Sequence, residues 1–70
     1  MTEEMYTLLF DAGFAAQKLY EQALLGRNAL DQISQEYHAR RAIEEYDRVM
    51  EAMEKIRGLR SENRDFLQVA

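Results

Sequence analysis

Several features that would narrow the function are missing from this 70-residue chain. It has no cysteine, so it forms no disulfide and offers no thiolate ligand to a metal. Proline and tryptophan are absent, glycine occurs three times, and no apolar run approaches the roughly 20 residues that a membrane span requires. A domain this short has a thin stability margin, so pairing with a second subunit is the remaining way to enlarge its core.

Charge excludes some further classes. The chain carries 13 acidic and 9 basic residues, for a net charge of −4, which argues against a general nucleic-acid binder. Its acidic beginning, Met1-Thr2-Glu3-Glu4, differs from a secretory signal, which opens with positive charge. We therefore expect a cytoplasmic protein that needs no cofactor and does not enter a membrane.

The composition is rich in alanine, leucine, glutamate and arginine, which predicts an all-α fold. Thr2 is placed to cap a first helix that ends at Leu25, with Gly26 just beyond it. Asn28 is the predicted cap of a second helix, and Gly58 its predicted stop. These signals predict a helical hairpin over residues 1–58, a polar tail over residues 59–70, and pairing of two hairpins into a homodimeric bundle.

Each predicted helix carries an apolar stripe that is expected to cover the other. The stripe of the first helix consists of Met5, Leu8, Leu9, Ala12, Ala16, Leu19, Tyr20 and Ala23. The stripe of the second helix consists of Ala39, Ala42, Tyr46, Val49, Met50, Met53 and Ile56. Gly13 lies inside the first helix, and the apolar stripe of that helix keeps its phase on both sides of it. Either this glycine lets another backbone approach closely, or the helix kinks there.

A third, shorter stripe points another way. Leu30, Ile33 and Tyr37 lie about 165° from the second stripe if both belong to one straight helix. Either the chain breaks near Ser34, which would cap a new helix, or one continuous helix buries opposite faces against different partners.

Apolar residues without an intramolecular partner are the predicted interaction site. Phe10 and Phe14 fall on the flank and far side of the first helix, and Leu30, Ile33 and Tyr37 are also left over. Two interpretations stay open, because these residues can be buried by a second copy of the chain or bind a different protein.

No group of residues makes a credible catalytic or metal site. His38 is interpreted as a solvated helix residue, and the acidic residues around Glu45 as a solvated face. An alternative function is nucleic-acid binding through Arg40, Arg41 and Arg48, although the interleaved acids do not favour it. A further alternative is a structural subunit whose tail docks on a neighbour through Phe66 and Leu67.

The first half of the chain resembles a known class of small proteins. The stretches MYTLLFDAG at residues 5–13 and LYEQALLGRNALD at residues 19–31 resemble small helical accessory proteins of temperate lambdoid bacteriophages. The resemblance implies a non-enzymatic regulatory role through binding of a host or phage protein. It implies no particular site residue.

Overall fold

The structure, a computed structural model, describes residues 2–62 and consists there of two helices. Helix α1 spans Glu3–Asn28 and helix α2 spans Gln32–Glu62. A three-residue link joins them, so the two helices pack antiparallel along their length. The predicted all-α hairpin is thereby confirmed, and the pairing of two hairpins stays a prediction.

Helix α1 begins as the sequence predicts but ends later. The Thr2 hydroxyl accepts a hydrogen bond from the Met5 backbone N–H at 3.1 Å. The predicted end at Leu25 is wrong, because the helix passes through Gly26 and continues to Asn28. Gly26 packs against α2 instead of ending α1: a Cβ placed there would lie 3.3 Å from the His38 Cβ.

Asp31, rather than Asn28 or Ser34, caps the second helix. Its carboxylate accepts the Ser34 backbone N–H at 2.8 Å, and its carbonyl accepts the Gln35 N–H at 3.1 Å. The break in the chain therefore covers residues 29–31, and Ser34 lies inside the first turn of α2. An ionised carboxylate at this position satisfies helical N–H groups that would otherwise lack partners.

The predicted stop at Gly58 is also wrong. Helix α2 continues through it to Glu62, and Leu59, one residue beyond Gly58, packs against the core. The tail prediction concerning Phe66 and Leu67 lies outside the described residues.

The contact between the helices follows alternating steps of three and four residues, the spacing of a coiled coil. The buried and half-buried positions of this pattern on α1 are Met5, Leu8, Ala12, Ala15, Leu19, Gln22 and Gly26. Those on α2 are His38, Ala42, Glu45, Val49, Ala52, Ile56 and Leu59. Alanine dominates the fully buried positions, so this core is thin and contains few large side chains.

The two predicted stripes are only partly correct. Four of the eight residues in the first stripe and three of the seven in the second lie in the contact, among them Met5, Leu8, Ala42 and Ile56. The other residues of each stripe lie beside the contact and are exposed. The stripes were too wide, since a two-helix contact covers only a narrow seam of each helix.

Candidate interaction surface

The coiled-coil spacing divides the hairpin surface into two flanks of different chemistry. On one side lie positions that directly follow a core residue, such as Leu9 after Leu8 and Met53 after Ala52. On the other side lie positions that directly precede a core residue, such as Lys18 and Arg48. Because the helices are antiparallel, equivalent positions of α1 and α2 share a flank.

The first side, here named the apolar flank, extends across both helices. Its large apolar side chains are all exposed and are Tyr6, Leu9, Tyr20, Ile43, Tyr46, Met50 and Met53. Ala16, Ala23 and Ala39 lie between them and are exposed as well. Three arginines, Arg27, Arg57 and Arg60, occupy the ends of this flank. Exposed apolar surface of this extent is typical of interaction sites.

The second side, here named the charged flank, contains a groove of about 380 Å³ that is lined by both charged and apolar side chains. Asp11 and Lys18 of α1 line it together with Arg48, Glu51 and Lys55 of α2. Within the described residues, three ion pairs bridge neighbouring turns of α2, joining Arg41 to Glu44, Arg48 to Glu45, and Lys55 to Glu51. The three cations that α2 places on this flank are therefore each paired with a carboxylate, whereas Asp11 and Lys18 of α1 take part in none of these pairs.

Two residues interpreted as solvated are in fact part of the helix contact. Glu45 is 2% exposed, and its carboxylate pairs with the Arg48 guanidinium at 2.5 Å. His38 is half-buried, and its Nδ1 lies 2.8 Å from the Gln22 Oε1 across the helices. Both interpretations were wrong because the spacing of core positions, rather than residue polarity, decides what faces the partner helix.

Phe10 lies on the outward side of α1, away from α2, whereas Phe14 lies between that side and the charged flank, whose groove it also lines. Both are exposed, and they line a groove of about 540 Å³ with Leu9, Gly13 and Gln17. We name this surface the Gly13 notch. The Lys18 ammonium lies 4.6 Å from the centroid of the Phe14 ring, on the side of the charged flank.

The other predicted interaction residues lie at the turn end of the hairpin. Leu30 belongs to the link, Ile33 to the first turn of α2 and Tyr37 to the second, and all three are exposed. Phe10 precedes Gln22 by twelve residues, so it lies about 18 Å along the helix from the level of His38. The structure therefore does not bring the two predicted groups together within one chain.

The three arginines predicted for nucleic-acid contact do not form a basic patch. Arg41 and Arg48 pair with carboxylates, whereas Arg40 lies exposed on the outward face of α2. Phosphate binding would compete with those carboxylates.

The apolar flank was not predicted from the sequence as one surface, although the spacing that defines it is present there. Tyr46, Met50 and Met53 were assigned to the core stripe of the second helix, and Leu9 and Tyr20 to that of the first. The alternating three- and four-residue spacing from Met5 to Gly26 and from His38 to Leu59 would have separated core from flank, because each position of the flank directly follows one of the core.

Comparison with protein families, with curated proteins and with solved structures finds no match to this chain. Among the described residues, neither helix is long and apolar enough to cross a membrane.

Proposed function

We propose that this chain is a non-enzymatic regulatory or accessory protein that acts through protein–protein interaction as a homodimer. Two hairpins pack through their apolar flanks into a four-helix bundle. The observation that carries the proposal is the contrast between the two flanks: seven large apolar side chains are exposed along one, whereas six charged residues line the groove of the other.

The area of the apolar flank suits a second copy. Taking a large side chain as about 200 Å², the exposed fractions of its seven large side chains correspond to about 700 Å². A standard interface buries about 800 Å² per partner. Burying this flank would also enlarge a core in which alanine predominates.

The regulatory role rests on two arguments. The resemblance of the first half to phage accessory proteins favours it, because such proteins act by binding host or phage regulators. The dimer through the apolar flank also leaves Phe10 and Phe14 exposed on α1, where a further protein can reach them.

Sedimentation equilibrium tests the dimer. The wild type is expected at twice the 8.2 kDa chain mass at micromolar concentration. Met53→Glu places a charge in the apolar flank, so that variant is expected to sediment as a monomer. Lys55→Gln is the matched control, because it changes the net charge by the same amount on the charged flank and should remain dimeric.

Two results would contradict the proposal. A wild type that sediments as a monomer would refute the homodimer. Equal dissociation of Met53→Glu and Lys55→Gln would show that the apolar flank is not the interface.

A further inference from the structure

The Gly13 notch contains a glycine that the hairpin itself does not require. Gly13 is exposed in the middle of α1, and a Cβ added there would meet nothing within 4 Å. Its φ is not positive, so an L side chain would be tolerated. An interior glycine destabilises a helix relative to alanine. The local fold therefore gives no reason for a glycine at this position.

The side chains around Gly13 supply a reason. Phe10, Gly13, Phe14 and Gln17 follow the spacing i, i+3, i+4 and i+7, the four corners of a hole that accepts one side chain of a packed helix. The missing side chain of Gly13 deepens this hole between two exposed aromatic walls. Gly58 has the same open surroundings but lines none of the described grooves, so a glycine alone does not make such a hole.

Two carboxylates and one ammonium border the notch, and the ammonium is that of Lys18 on the Phe14 ring. Asp11 lines the adjoining groove with Phe10, and the Glu21 carboxylate accepts a hydrogen bond from the Gln17 amide at 3.4 Å. Helix α1 as a whole carries four carboxylates and only two cations. A second copy that presented its α1 here would bring like charges together, whereas a basic helix would be attracted.

We infer that the Gly13 notch is the docking site for a basic amphipathic helix of another protein, whose large apolar side chain enters between Phe10 and Phe14. This inference rests on the proposed function, because it names the surface and the kind of partner through which the protein acts. Helix-in-groove binding of this kind places apolar anchors in the groove and uses the surrounding charge for selectivity.

Fluorescence anisotropy with two synthetic helices tests the inference on the full chain. The peptides, each of about 18 residues, share the same leucine positions and carry either lysine or glutamate elsewhere. The lysine peptide is expected to bind the wild type, to bind less tightly as salt is raised, and to outcompete the glutamate peptide.

Gly13→Leu is the diagnostic variant. It fills the hole while strengthening the helix, so binding of the lysine peptide is expected to weaken by about tenfold or more although the fold remains. Gly58→Leu is the matched control and should bind like the wild type. Circular dichroism confirms that both variants are folded, and sedimentation reports their oligomeric state.

Three results would overturn the inference. The first is equal affinity of the lysine peptide for the wild type and Gly13→Leu, and the second is failure of that peptide to bind the wild type. The third is dissociation of the Gly13→Leu dimer, which would assign the notch to a second copy. A monomeric wild type that still binds the peptide through the notch would refute the homodimer alone.

Discussion

The two ends of the helix–helix contact are built from different chemistry. At the free end, where α1 begins and α2 ends, Met5, Leu8, Ala52 and Ile56 form an apolar cluster. Near the turn the contact includes the Gln22–His38 pair, and midway along its length it includes the buried Glu45 carboxylate. One seam therefore changes from apolar packing to polar pairing along its length.

The apolar and the polar part of the contact have different physical roles, one in the stability of the hairpin and the other in the alignment of its two helices. Apolar burial stabilises the free end but depends little on which side chains meet. A polar pair such as Gln22 with His38 forms in one register only, and a shift by one turn would leave buried polar atoms without partners. We infer that the turn end sets the register and that the free end supplies more of the stability.

The largest expected effect is at the free end. Ile56 is 6% exposed, so Ile56→Ala removes buried apolar volume and should lower the free energy of unfolding by about 3 kcal/mol. Urea unfolding at fixed protein concentration measures this change. Arg57→Ala, at the exposed neighbouring position, should change the stability by less than about 0.5 kcal/mol. Equal losses in the two variants would contradict an apolar cluster at this end.

The second effect concerns Glu45 and Arg48. Arg48→Ala leaves a carboxylate buried without its partner, and because Arg48 itself is largely exposed, we expect a loss of about 2 kcal/mol. The same urea titration measures it.

A double variant gives the control for that experiment. Glu45→Leu removes the buried charge, so Glu45→Leu/Arg48→Ala should recover at least the wild-type stability. A double variant as unstable as Arg48→Ala would show that Arg48 acts through something other than the buried carboxylate.

The extent to which the sequence predicted this contact differs between its two ends. At the free end, the Thr2 cap and the pairing of Met5 with the Ile56 stripe follow from helix capping and periodicity, and the structure confirms them. Farther from the free end, the polarity of a residue was a misleading guide to its burial. His38 and Glu45 are polar and were interpreted as solvated, although their positions in the coiled-coil spacing face α1.

The same limit explains the outcome for the interaction residues. All five, Phe10, Phe14, Leu30, Ile33 and Tyr37, are exposed as an interaction role requires, because no intramolecular stripe could cover them. Their separation into two groups could not be predicted, since it depends on which residues α2 places level with α1. The Gln22–His38 contact, which joins the two helices near the turn, marks that register.

The smallest expected effect tests that cap through pH. The Ser34 backbone N–H donates to the Asp31 carboxylate, and this hydrogen bond holds the pKa of that carboxyl below its usual value. A lowered pKa in the folded state means that the contribution of the Asp31 cap to stability is present above about pH 4, the ordinary aspartate value. This contribution is lost as pH falls through the folded-state pKa.

Asp31→Asn keeps an oxygen acceptor but does not titrate, so between pH 7 and pH 3 the melting temperature of the wild type should fall further than that of the variant. The other carboxylates are common to both proteins and cancel in this comparison. Parallel melting curves at both pH values would show that the charge on Asp31 does not hold the turn.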